Sequence, residues 1–266
     1  MAEEESQDPR MISNIIDYLS MEHQQQLTST VNLGNDFKAI ERLDQHFRAM
    51  LDRVGVPQDH VAIGLLLRSC HRQFYFGIAQ LLRCHRSEMM LALRHSIESS
   101  FIVYYMAKHP EDIMDWWDRE SKTYKRVYFP IKRFVKDHLD EYPLAESLIP
   151  LYEEAGKSSA HATYEWFGNR ADFSDPNMAM VNYVQTYRSH DEFLMWFYFL
   201  LATYSWIVLL LNHTVSTYSN RELLTPVEVQ DIEKFGKLCE NNKGVANSRM
   251  KEQGLVEEPE GADEEE

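Results

Sequence analysis

Phe37-Lys38-Ala39-Ile40-Glu41-Arg42-Leu43-Asp44-Gln45-His46-Phe47-Arg48-Ala49-Met50-Leu51-Asp52-Arg53-Val54 decides the fold class. Its apolar residues Phe37, Ile40, Leu43, Phe47, Met50, Leu51 and Val54 recur at intervals of three and four. That spacing stacks them on one side of an α-helix, whereas a strand would scatter them over both faces. Asn35 or Asp36 offers an oxygen to cap the first turn, and Gly55-Val56-Pro57 stops the helix.

The same signature extends in both directions. Residues 10–29 carry Met11, Ile12, Ile15, Ile16 and Leu19 on one stripe, ahead of a turn near Asn32-Leu33-Gly34. Residues 58–84 and 87–108 read as two helices with a break at Cys84-His85-Arg86, apolar on most faces and therefore central. Pro110 opens a further helix with Glu111 and Asp112 in its first turn, and Pro130 should interrupt it. Residues 143–155 form a short helix closed by Gly156, residues 157–167 add a turn or two, and 168–177 is the longest loop. A long apolar helix covers 190–218, and Thr225-Pro226-Val227-Glu228 is a capping box that starts the last helix, fading at Asn241-Asn242-Lys243-Gly244. Gly and Pro number only 10 and 9, too few for a turn-rich all-β chain. The expectation is an all-α chain, a single multi-helix bundle of about nine helices with a central apolar helix and no sheet.

The net charge of −15 is concentrated at the ends, with −4 in residues 1–9 and −7 in residues 251–266. A run such as Asp263-Glu264-Glu265-Glu266 cannot bury apolar area, so residues 1–9 and 245–266 are expected to be disordered acidic termini around a helical domain at 10–244. Cys70, Cys84 and Cys239 are few, odd in number and in no paired motif, which points to reduced thiols in the cytoplasm. No basic stretch followed by an apolar run marks a signal peptide. Phe193 to Leu211 holds no formal charge and meets the length criterion for a membrane span. Tyr198, Thr203, Tyr204 and Ser205 sit mid-span without a basic cluster on either flank, so a buried core helix is preferred over a single-span anchor through residues 193–211.

Residues 87–108 hold the best candidate for chemistry. Ser87, Arg94, Glu98, Phe101 and Tyr105 fall within about 60° of one another on a helical wheel. Arg94 and Glu98, spaced i,i+4 among Met, Leu, Ile and Ala, read either as a buried pair that sets helix register or as an anion-binding Arg oriented by Glu98. Arg119, Lys122, Lys125, Arg126, Lys132, Arg133 and Lys136 form the one basic cluster, with residues 116–136 at +5 and Tyr124, Tyr128 and Phe129 interleaved. That strip suits a nucleic-acid phosphate backbone, or equally a solvated face or a dock for the acidic tail. His85-x-x-Glu88 and His95-x-x-Glu98 invert the order used by di-iron bundles, and no second helix completes a ligand set, so no metal is expected. The absence of a glycine-rich phosphate loop, a Cys-x-x-Cys and a serine nucleophile motif leaves no cofactor implied.

Leu91-Ala92-Leu93-Arg94-His95-Ser96-Ile97-Glu98-Ser99-Ser100-Phe101-Ile102-Val103-Tyr104-Tyr105, followed by His109-Pro110-Glu111-Asp112 and later by Ser158-Ser159-Ala160-His161, resembles the core of a bacterial helical family of unknown function. That family pairs an Arg-x-x-x-Glu helix with a Ser-x-x-His segment, and it is similar to the HEPN-like superfamily, many of whose members cleave RNA or serve in toxin–antitoxin and defence systems. The resemblance implies a regulator or defence component with RNA or a protein as partner, and a homodimer fits it too. It further implies a site of Arg94, Glu98, Tyr105 and His161, with His161 as general acid or base and Arg94 stabilising the transition-state anion. The superfamily's Arg-x(4–6)-His signature occurs at Arg53/His60 and Arg133/His138, as often as chance gives, and off the family-like helix. A non-enzymatic interaction module, in which the same residues hold the core, is the alternative.

Overall fold

A computed structural model describes residues 15–54, 61–113, 131–141, 143–159, 171–175, 178–181, 187, 189–219 and 221–255. Among these, the chain forms α1 (Ile15–Leu33), α2 (Phe37–Val54), α3 (Val61–Leu82), α4 (Arg86–Lys108), α5 (Ile131–Lys136), α6 (Pro143–Ser159), α7 (His190–Ser219) and α8 (Pro226–Glu252). The all-α reading holds, with seven long helices and the six-residue α5 in place of about nine. The difference has local causes. Residues 114–130 and 160–170, where further helical turns are expected, lie outside the described residues, and 157–159 belong to α6. A small antiparallel strand pair, β1 (Ala171–Asp175) with β2 (Met178–Val181), begins within the expected 168–177 loop and departs from the expectation of no sheet, leaving the all-α class unchanged.

Two boundaries move for identifiable reasons. Gly156 does not close α6, which runs on through it to Ser159. The last helix does not fade at Gly244 but continues to Glu252, since Ala246 and Met250 are buried one turn apart and hold the extension against the bundle. It ends at Gly254, whose φ of 67° admits a Schellman cap: the Leu255 amide donates to the Met250 carbonyl (3.0 Å) and the Gly254 amide to Lys251 (2.9 Å). The acidic tail expected from residue 245 is therefore folded through Glu252, and residues 256–266 lie outside the described set.

The predicted break between α3 and α4 is a one-step corner with the same cap chemistry. The His85 amide reaches back to the Gln80 carbonyl (2.8 Å) and the Cys84 amide to Leu81 (2.9 Å). Cys84 takes the left-handed conformation at φ 62°, where an L side chain costs about 1–2 kcal/mol. The corner lets α3 and α4 pack along their full length.

The centre of the bundle is α7. Phe197, Leu200, Leu201, Tyr204, Ile207, Val208 and Leu211 are all buried, against α8, α4 and α2. Its hydroxyls are satisfied internally or by a neighbour: Thr203, Ser205 and Thr214 donate to carbonyls one turn back, and Tyr204 Oη meets Ser96 Oγ of α4 at 3.0 Å. The helix is long and apolar enough to cross a membrane, yet 67% of its most apolar window is buried within the molecule.

α1 inverts expectation. Its stripe of Ile15, Ile16 and Leu19 is exposed, while Glu22, Ser29 and Leu33 face inward. The polar groups of the α3–α4 corner supply the reason: Glu22, Gln25 and Gln26 hydrogen-bond to His85, Cys84 and Arg83.

Two variants test this architecture. A Cβ on Gly236 of α8 would stand 3.2 Å from Ser205 Cβ of α7, so Gly236→Leu should destabilise by about 1–3 kcal/mol through overpacking, measured by urea unfolding. The α8 capping box is also clamped by Arg53 of α2, whose guanidinium bonds both Glu228 oxygens (2.5 and 3.0 Å). That bond and those from Thr225, outweighing partial burial, lower the Glu228 carboxyl from its ordinary 4.5 to about 2. The stabilisation is complete above the ordinary value and is lost as pH falls towards 2, so Glu228→Gln should flatten the acid limb of the stability profile between those limits.

Candidate functional site

Arg94 lies where α4 crosses the last turns of α6. The periodicity that buries Leu93, Ile97 and Phe101 turns Arg94 and Glu98 to the flank of α4, where both are half-buried. The Arg94 Cζ sits 5.1 Å from the Tyr152 ring centroid, a cation–π contact that fixes the plane of the guanidinium. A Cβ on Gly156 would approach Arg94 Nη1 to 3.0 Å, so the glycine clears the space into which the arginine extends. Arg94 also lies beside the C-terminal turn of α6, whose carbonyl dipoles favour a cation. Arg94 and Glu98 form no ion pair among the described residues, although they are one turn apart. The register-setting pair expected from their spacing is absent, because Tyr152 and Gly156 draw the guanidinium towards α6.

Tyr105 is placed elsewhere. It lies eleven residues along α4, about 16 Å from Arg94 by helical rise. Its hydroxyl donates to Asp112 Oδ2 (2.5 Å), and its ring packs edge-on to Phe134 at 4.9 Å. Arg94 and Tyr105 thus share a helix but not a pocket. His161 lies outside the described residues, as does most of the segment that leads to it from the end of α6.

Of the basic strip, Lys122, Lys125 and Arg126 lie outside the described residues. Lys132 is paired with Glu153 of α6, which Lys136 also approaches (3.9 Å), whereas Arg133 is exposed near Asp137 at 3.9 Å. The described part is therefore partly neutralised by α6. The Arg53/His60 match is divided in the same way: Arg53 is committed to Glu228, and His60 is outside the described residues. Among the described residues, no group of three or more His, Cys, Asp or Glu could hold a metal ion.

Three polar clusters escaped sequence reasoning because each joins distant helices. At the α3–α4 corner a cavity of about 400 Å³ is lined by Glu22 and His23 of α1 with Arg83, His85 and Glu88. His85 is buried on its floor, with Nε2 at 2.8 Å from Glu22 and Nδ1 at 3.0 Å from Gln80, so both ring nitrogens are already engaged. Asp44 of α2 accepts from Tyr75 (2.6 Å), meets His71 (2.7 Å) and pairs with Arg48 (2.7 Å). Burial raises its carboxyl's affinity for the proton, but those three partners outweigh it and leave the pKa below the ordinary value. Asp231 of α8 joins Arg42 and His46 of α2, the arginine chiefly holding its pKa down. Only the i,i+4 spacings within each helix, Arg42/His46, Asp44/Arg48 and His71/Tyr75, are visible in the sequence. Burial raises all three thiols, Cys84 to about 11 and Cys70 and Cys239 to about 12, so none is a nucleophile at neutral pH.

No protein-family model, no curated protein and no solved structure matches this chain. The candidate site therefore rests on its own geometry.

Glu22→Ala should cost about 1–3 kcal/mol, because it strips the buried His85 of a partner. Amide exchange should accelerate across α1 well before α7, since the lost bond is one of the few that tie α1 down.

Proposed function

We propose that this chain is a helical, HEPN-like regulator or defence component of the cytoplasm that engages RNA through Arg94, or a protein partner that presents an anion to it. One observation carries the proposal: the Arg94 guanidinium lies 5.1 Å from the Tyr152 ring centroid, beside Gly156, and among the described residues it forms no ion pair with a carboxylate. An arginine kept for structure would find Glu98, one turn away. An arginine against an aromatic ring and, among the described residues, without a carboxylate partner suits a phosphate, which takes two parallel N–H donors.

On this reading His161, which follows α6 in the sequence, supplies the imidazole. In cleavage of RNA, His161 takes the proton of the ribose 2′-hydroxyl as that oxygen attacks the adjacent phosphorus. Arg94 stabilises the charge gathering on the non-bridging oxygens, and the 5′-oxygen leaves with a proton from solvent or a second acid. Glu98, half-buried beside Arg94, orients the guanidinium or the bound ligand. Arg133, with Lys122, Lys125 and Arg126, steers the polyanion towards α4. The three buried thiols, with no disulfide among them, support a reducing compartment. The burial of α7 supports a core helix over a membrane anchor.

The purified chain should bind and cut single-stranded RNA. Arg94→Ala should lower the cleavage rate by about 10²–10³-fold, with Arg94→Lys partly restoring it, while both leave the melting temperature within a few degrees. Cleavage that is absent from the wild type with and without divalent metals removes the nuclease. A large melting loss in Arg94→Ala, with RNA affinity unchanged, returns the residue to a structural role.

A further inference from the structure

The cavity at the α3–α4 corner is shared between two parts of the fold. Glu22 and Gln26 reach it from α1, Arg83 and His85 from the corner, and Glu88 from the first turn of α4. Charges of opposite sign therefore surround one space of about 400 Å³. They do not meet. The Glu22 side chain is only 9% exposed, and His85 holds its Oε1 at 2.8 Å. No hydrogen bond engages its Oε2 among the described residues. Arg83 is half-buried and donates Nε to Gln26 Oε1 over 3.4 Å, beyond the usual length for such a bond. Among the described residues it forms no ion pair, although two carboxylates line the same cavity. A carboxylate withdrawn from water is stabilised by an opposite charge or by donors, and here the nearest guanidinium stays out of reach across the gap.

We propose that this cavity binds a small zwitterion of amino-acid type, its ammonium on the Glu22 and Glu88 side and its carboxylate on Arg83. The charge pattern selects the class. An inorganic anion would pair with Arg83 but face two carboxylates. A simple amine would pair with the carboxylates but face Arg83. A molecule that carries both groups satisfies both walls, and a carboxylate can take two parallel N–H donors from the guanidinium. The volume lies at the small end of the range for ligand pockets, about 300–1,000 Å³, which suits a single metabolite rather than a polymer. Tyr18 and Leu19 add a less polar wall for the ligand's own side chain. Such a ligand would bridge Glu22 of α1 to Arg83 beyond the end of α3. The described ties of α1 to this corner are side-chain bonds from Glu22, Gln25 and Gln26, so the bound molecule adds a cross-link where the helix has few. The site shares no residue with the Arg94 reading and stands or falls without it.

The test uses the full chain and the common proteinogenic amino acids, one at a time at about 10 mM. At least one should raise the melting temperature and give a saturable calorimetric isotherm, and it should slow amide exchange in α1. For that amino acid, the amine lacking its carboxylate and the acid lacking its amino group should each bind the wild type about 10–100-fold more weakly. Arg83→Gln should keep the wild-type melting temperature, lose a similar factor in affinity for the amino acid, and no longer distinguish it from the amine. Glu22→Gln retains an acceptor for His85 and should no longer distinguish the amino acid from the deaminated acid. The proposal is overturned if no amino acid binds, or if either analogue binds the wild type as tightly as the amino acid does. It is equally overturned if a folded Arg83→Gln chain binds like the wild type. The analogue series on the wild type decides the matter even where a variant fails to fold.

Discussion

The bundle depends on burying one thirty-residue helix that has almost nothing to say to water. Once α7 is inside, the other helices are arranged by what they must cover. α8 returns along it, α4 crosses it, and α2 closes the remaining side. The polar atoms carried inward with it are few and are settled locally, three hydroxyls on the helix's own carbonyls and one tyrosine on Ser96. A central helix most of whose buried hydroxyls close on its own carbonyls makes few directional demands on its neighbours, Tyr204 on Ser96 and Asn212 on the Leu224 amide among them. Shape alone then decides how they pack, which is why a glycine at 236 is needed where α8 passes Ser205.

The charged groups occupy the next layer out, and they act as latches between helices rather than as a core. Arg53 to Glu228, Arg42 and His46 to Asp231, and His71 to Asp44 each join segments separated by a turn or by most of the chain. Arg94 belongs to this layer by position but not by partnership. Among the described residues its neighbours are an aromatic ring and a glycine, and none is a carboxylate paired with it.

The class of the fold and the identity of its central helix were legible because both follow from one-dimensional periodicity. Phe37 to Val54 could be read as a helix with one buried face, and the α7 stretch as core, without knowing any partner. Helix ends were harder, since they are set by what lies across the interface. Gly156 and Gly244 look alike as stop signals, yet one makes room for Arg94 and the other is carried through by Ala246 and Met250 beyond it. The direction in which α1 faces was illegible for the same reason. Its apolar stripe was visible, but the polar corner that attracts its other face is assembled from residues 80–85. Arg94 stood out by its charge in an apolar helix, but its contact with Tyr152 was illegible because spacing along one helix says nothing about a ring on the next.

The one-step corner at Cys84 has a consequence for synthesis. It makes α3 and α4 a contiguous hairpin that is complete at Lys108, whereas the helix that covers its inner face ends only at Ser219. At ordinary elongation rates the ribosome needs roughly 5–20 s to cover that interval. For that time the nascent chain presents Ser96 and the face of α4 around it uncovered, so its passage to the folded form is a contest between translation speed and capture by chaperones.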